Sequence, residues 1–293
     1  RVLSIDGGGI RGIIPAHVIA YLESQAGKPA AQLFDLIVGT STGGILALGL
    51  TVAEPAVEQP VSTHAAKPAK PPKPSMPRYS GQDLINLYRH HGTDIFSRSL
   101  WRRLRSAGGA LEETYHHGPL EGLLHRYFSD VTLAKALTPV IVTSYDIEAR
   151  QTVFLKSWHA AHANIPMAHA ARATSAAPTY FEPAQVTWDG AARPLIDGGI
   201  FINSPVVSAY AEALKLFPGD DIRVLSLGTG ALTRPISFEQ AQAWGALGWV
   251  LPLIDCMFDG AAKAADHQMG LFLGDKYQRL QASLHSASDD MDD

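Results

Sequence analysis

Apolar positions along the chain fall into short blocks separated by glycine-rich turns. Arg1-Val-Leu-Ser-Ile5 and Phe34 to Val38 are short runs rich in apolar residues, which predict buried strands. Each run ends in glycines and is followed by a helical stretch. Ile13 to Gln25 follows the first, with Pro15 tolerated in its first turn, and Gly44 to Thr51 follows the second. Further along, Ser80 and Asp83 form a capping-box pattern that opens a helix through about His91. Pro119 to Phe128 reads as a helix, and Thr138 to Tyr145 and Thr152 to Leu155 as strands. The alanine-rich Pro166 to Ala177 reads as a helix stopped by Pro178. Leu195-Ile196 runs into Asp197-Gly-Gly199, Pro205 to Phe217 reads as a helix, and Ile222 to Leu227 as a strand ending in Gly-Thr-Gly. Strand and helix in alternation predict an α/β fold: a three-layer α/β/α domain over 1–293 with a mainly parallel sheet.

Two stretches depart from this rhythm. Residues 53–78 carry seven prolines together with Lys67, Lys70 and Lys73, and predict an exposed, semi-extended, flexible insertion. The acidic end, Asp289-Asp-Met-Asp-Asp293, predicts a poorly ordered tail. Leu36 to Ala53 is 18 residues without a charge, but its four glycines and Gly-Thr-Ser-Thr-Gly-Gly cluster predict strand, turn and helix rather than a membrane span.

With 46% hydrophobic and 18% charged residues the composition is that of a globular protein, and a net charge of −4 gives no footprint for nucleic acid. The one cysteine, Cys256, allows no internal disulfide. Amid Ile254, Met257 and Phe258 it is expected to be buried and inert. No signal peptide is visible, a leader already cut away being the alternative; the expected setting is cytoplasmic, with peripheral membrane contact open. Oligomeric state has no signature.

The candidate chemistry lies in the glycine turns. Gly39-Thr-Ser41-Thr-Gly43 sits between an apolar strand and a helix, where a nucleophilic serine is held in a strained corner and only small neighbours fit. An ordinary tight turn is the competing reading. Gly7-x-Gly9-x-x-Gly12 matches a dinucleotide fingerprint, but no acid stands at the end of the next strand to hold a ribose. A loop whose backbone N–H groups cradle an oxyanion fits better, with a plain packing turn also open.

A serine needs a base. Of 12 histidines only His267 and His285 follow Asp197, and neither stands in a strand-end loop. Asp197 does, in Pro194-Leu-Ile-Asp-Gly-Gly-Ile200. A carboxylate at the end of an apolar strand is costly unless used or paired, and burial would make it a stronger base. An aspartate capping its own turn is the equal alternative. No metal-ligand spacing occurs, so no metal or cofactor is expected.

Taken together, Asp6-Gly-Gly-Gly-Ile-Arg-Gly12, Gly39-Thr-Ser-Thr-Gly43 and Asp197-Gly-Gly199 resemble, in that order, the patatin-like phospholipase family. Asn203-Ser-Pro205, Leu225-Ser-Leu-Gly-Thr-Gly230 and Ala171 to Phe181 resemble further family landmarks. The resemblance implies a Ser–Asp dyad of Ser41 and Asp197. It implies an oxyanion hole from Gly7, Gly8 and Gly9, with Arg11, Gly12, Gly39, Gly43, Gly198 and Gly199 shaping the loops. It implies a metal-free hydrolase of phospholipid, glycerolipid or simple esters. An acyltransferase using the same dyad, a Ser-His-Asp esterase and a regulator with a dead site are the alternatives. Arg11 is expected to tether the glycine loop and Ser175 to pack. Trp101 with Arg98, Arg102, Arg103 and Arg105 reads as a solvated face or a contact for anionic lipid. Trp244 to Ile254 reads as a core helix or as an acyl groove or membrane lip.

Overall fold

The computed structural model describes residues 1–54, 75–96, 118–178, 180–232 and 235–284. Ten strands and ten α-helices lie in this part. The strands are β1 (Val2–Ile5), β2 (Leu36–Thr40), β3 (Val140–Asp146), β4 (Gln151–Lys156), β5 (Ala184–Trp188), β6 (Ala191–Asp197), β7 (Val224–Leu227), β8 (Ala231–Leu232), β9 (Tyr277–Leu280) and β10 (Ser283–Leu284). The helices are α1 (Ile13–Ala26), α2 (Ala30–Leu33), α3 (Thr42–Thr51), α4 (Gly81–Phe96), α5 (Gly118–Phe128), α6 (Met167–Thr174), α7 (Gly199–Ile202), α8 (Val206–Leu216), α9 (Phe238–Ala243) and α10 (Ala246–Leu273).

One sheet of eight strands organises the molecule, in the order β5-β6-β3-β2-β1-β7-β9, with β4 also on β3. From β3 to β9 the strands run parallel; β4, β5 and β6 add an antiparallel flank. Every residue of β1 and β2 is buried, as their unbroken apolar runs require of strands covered on both sides. Leu3, Ile5 and Ile37 point to one face, packed by α1, α3, α4, α5 and α6. Val2, Leu36, Val38 and Val224 point to the other, under Val206 and Ala209 of α8 and Ala265 and Met269 of α10. This is the expected three-layer α/β fold with a mainly parallel sheet.

The topology explains how distant residues meet. Strand β4 lines one edge of β3 over its whole upper part. The other edge is shared. It pairs with β2 as far as Thr40 opposite Thr143, and with β6 from Asp197 opposite Ser144. Strands β2 and β6 therefore abut end to end along β3, running toward each other. Ser41, the residue after β2, and Asp197, the last of β6, face each other across the gap.

The 53–78 insertion is pinched at its base. Ala53 bridges Pro77, Glu54 N–H donates to Met76 (2.9 Å) and Arg78 N–H to Val52 (2.9 Å). Its body, residues 55–74, lies outside the described residues, as do the acidic end and the arginine–tryptophan cluster at 98–105. The capping box is realised: Asp83 Oδ2 accepts from the Ser80 hydroxyl (2.6 Å) and Ser80 N–H (2.8 Å). Among the described residues no helix is long and apolar enough to cross a membrane.

Candidate active site

Sequence and packing together force the corner at Ser41. A methyl group on Gly39 would meet the backbone of Gly43 and Gly44 (2.5 Å to the Gly44 nitrogen). One on Gly43 would run into the Asp6 carbonyl (2.7 Å) at the end of β1. Chain packed this tightly can turn directly from strand into helix. Ser41 bears the cost, with φ 55 and ψ −124, a left-handed backbone rare for a side-chain-bearing residue. Its surroundings over-determine the strain. Ser41 N–H donates to Thr174 Oγ1 (2.9 Å). The Thr40 hydroxyl donates to the Ile202 carbonyl (2.8 Å) and shares a hydrogen bond with Thr143 Oγ1 (2.8 Å). The serine is 6% exposed.

Asp197 is 4% exposed. One carboxylate oxygen accepts Gly199 N–H (2.7 Å), the turn-capping role that sequence left as an alternative. The Ser41 side chain lies near enough to the carboxylate to favour its charged form, so the turn-capping role leaves room for a second one. Burial pushes its pKa up to about 7, and the influence of the Ser41 side chain and of Gly199 N–H pulls it back only in part. Gly198 is required because a side chain there would press on the β3 backbone at Thr143 (2.7 Å). Among the described residues no imidazole is a partner of Asp197. His267 is exposed on α10, and His285 lies outside the described residues.

The glycine loop leaves β1 beside this pair. A methyl group on Gly7 would sit 3.2 Å from Ser41 Cβ and 2.5 Å from Asn203 Oδ1. Gly7 N–H donates to the Asn203 carbonyl (3.0 Å), and the Gly7 carbonyl accepts from Thr229 Oγ1 (2.7 Å). Gly7 therefore anchors the loop, and its N–H is already committed, which corrects the expectation that it would serve as an oxyanion donor. Gly8 and Gly9 make no such bond through their N–H groups to another described residue, and Gly9 takes φ 58. Arg11 Nε donates to the Gly8 carbonyl (3.4 Å). Gly12 lies against Thr42 and the Tyr88 ring, and the Tyr88 and Thr42 hydroxyls are hydrogen-bonded to each other.

The expectation for Cys256 is corrected: its thiol is exposed, because the apolar neighbours sit on a helix whose outer face carries it. The core-helix reading of Trp244 to Ile254 also fails for Trp249 and Leu253, both exposed. Ser175 packs as expected, its hydroxyl donating to the Ala171 carbonyl (2.8 Å). Sequence reasoning missed Thr174, Thr229 and Asn203 as supports of the site. They stand inside segments singled out as family landmarks, which was the available signal. Among the described residues no group of three His, Cys, Asp or Glu could hold a metal ion.

Comparison with known proteins places the chain in a family. A family model described as patatin-like phospholipase matches residues 3–210. Patatin-like protein 3 of Arabidopsis thaliana is 31% identical, covering 91% of this chain and 69% of its own length. Patatin-04/09 of Solanum tuberosum is 28% identical over all of this chain and 78% of its own. A solved structure of VipD from Legionella pneumophila aligns with 98% of this chain at 15% identity and a TM-score of 0.41, and this chain spans 62% of that longer protein.

Proposed function

This chain belongs to the patatin-like phospholipase family, and from that premise we propose that it is a lipid acyl hydrolase working through a Ser41–Asp197 dyad. The observation that carries the reading is that β2 and β6, meeting end to end along β3, set a strained, buried serine beside a buried carboxylate whose pKa is pushed up to about 7. A base of that strength is half ionised near neutral pH and needs no intervening imidazole.

The chemistry runs in two stages. Asp197 takes the proton of Ser41 Oγ as that oxygen bonds to the ester carbonyl carbon. The carbonyl oxygen becomes an oxyanion and is met by the N–H groups of Gly8 and Gly9, at the end of a loop fixed through Gly7. Such fixed donors lower the barrier because they need not reorganise as charge develops. The tetrahedral species collapses, the C–O bond to the alcohol breaks, and the alcohol leaves with the proton held by Asp197. Water, deprotonated by Asp197, then attacks the acyl carbon; the C–Oγ bond breaks, Ser41 Oγ takes the proton back from Asp197, and the fatty acid is released. The substrates are esters of phospholipids, other glycerolipids or simple acyl esters.

The test is ester cleavage by variants, on p-nitrophenyl esters and defined phospholipids. Ser41→Ala and Asp197→Asn each lose activity by at least about a thousandfold, the scale for removing a member of a catalytic pair. His267→Ala and His285→Ala stay within about twofold of the native rate. Retained activity in Asp197→Asn, with loss in either histidine variant, overturns the dyad in favour of a histidine triad.

A further inference from the structure

Three neighbouring strands carry polar side chains in register at the carboxyl end of the sheet. Ser4 of β1 pairs with Ser226 of β7, and Ser226 with Arg279 of β9. Alternation along a strand puts them on one face, that of Val2, Val224 and Tyr277, beneath α8 and α10. Asp6, two residues beyond Ser4, points the same way. It is also the first residue of the glycine loop.

From the edge strand, Arg279 reaches across β7. Its guanidinium donates to Ser226 Oγ (2.7 Å) through Nη1 and to Asp6 Oδ2 (2.6 Å) through Nη2. The pair is buried, with side-chain exposures of 11% for Arg279 and 3% for Asp6. Stability alone is a poor reason for it. Stripping water from two ions costs about as much as their attraction returns, and well-packed apolar residues often do as well. Geometry is the better reason. Asp6 N–H is held by the Leu227 carbonyl (2.9 Å), Gly7 by Asn203 and Thr229, and the Asp6 side chain by Arg279. With those points fixed, the peptide planes at Gly8 and Gly9 have little freedom left. Arg279 lies beyond residues 3–210, the part matched by the family model.

We propose that Arg279 is a positioning residue for ester cleavage: acting through Asp6, it holds the glycine loop so that the Gly8 and Gly9 N–H groups meet the developing oxyanion. The edge strand β9 is then part of the catalytic apparatus. This rests on the hydrolase reading above. Because the loop acts on charge that develops in the transition state, loss of Arg279 lowers kcat and leaves KM nearly unchanged.

The experiment uses the full chain with Arg279→Met, Arg279→Lys, Asp6→Asn and the double variant Asp6→Asn with Arg279→Met. Active serine is counted by fluorophosphonate titration, so kcat is expressed per reactive site, and Tm is recorded alongside. The expected result is a fall in kcat of about 10- to 100-fold for Arg279→Met and Asp6→Asn, somewhat below that for deleting an oxyanion donor outright. KM stays within about threefold, Arg279→Lys recovers part of the loss, and the double variant is no slower than the worse single one, because the pair acts as a unit. Should Arg279→Met fail to fold, Arg279→Lys and the isosteric Asp6→Asn carry the test. Native kcat per titrated site in those variants, whatever their Tm, overturns the positioning role. A native chain that cleaves no ester and takes no label overturns the hydrolase reading instead.

Discussion

The Asp197 carboxylate ends a strand inside the molecule, where the loss of water makes its charged form costly and so makes it basic. The same cost has a consequence for stability, with a definite sign. The folded pKa of about 7 lies above the ordinary aspartate value of about 3.9, so the fold favours the protonated form. Its stabilising contribution is complete below about pH 4 and is lost as pH rises through 7. The difference amounts to about 4 kcal/mol at 1.36 kcal/mol per unit. Asp197→Asn carries no such charge. It is expected to be more stable than the native chain at pH 8 and equal to it near pH 4, as read from urea midpoints. A variant less stable at pH 8 would contradict the buried, ionising carboxylate. At this scale sequence revealed residues whose chemistry leaves a local mark: Ser41 between two glycines, Asp197 before two more. It did not reveal Thr174, Thr229 or Arg279 as supports. Each acts through a hydrogen bond to a segment far away in the chain, and such a bond leaves no spacing to read.

At the scale of elements, the turn from β2 into α3 depends on the backbone of α3 touching the end of β1. Gly43→Ala places a methyl group against the Ile5 and Asp6 carbonyls, and backbone cannot step aside as a side chain can. Overpacking of this kind costs about 1–3 kcal/mol or more. The expected outcome is a lowered Tm together with loss of esterase activity, because the helix shift also moves Ser41. A Gly43→Ala chain with native Tm and rate would show that the contact is loose. The elements around this turn were legible because buried parallel strands are continuous apolar runs and their helices begin at glycines. The β5–β6 hairpin was legible only at Leu195-Ile196, since Ala191 and Ala192 opening β6 are exposed and its next residues, Arg193 and Pro194, break the apolar run. Strand β9, Tyr277-Gln-Arg-Leu280, was not legible at all. It is an edge strand whose one charged side chain points inward to meet Asp6, so its polarity reads as surface. The length of α10 was hidden for another reason: Pro252 stands inside it and Gly260 and Gly270 interrupt its pattern.

For the whole molecule, the decisive feature is that one edge of β3 is shared by two strands meeting head to head, which brings together side chains from opposite parts of the chain. The fold class was legible from the alternation of strands and helices. The antiparallel flank that delivers Asp197 was not, because pairing partners are a property of the folded sheet and not of any one segment. The family resemblance supplied the expectation that Ser41 and Asp197 meet; shared occupancy of the β3 edge supplies the physical reason. The most direct test of that meeting is the rate at which a fluorophosphonate probe captures Ser41, followed by mass spectrometry across pH 5 to 9. The native chain should be labelled at Ser41, with a rate that rises about tenfold per pH unit and levels off near pH 7, as expected for one ionising base. Asp197→Asn should remain unlabelled throughout. Capture of Ser41 in Asp197→Asn at the native rate, or a label found on another residue, would contradict the account.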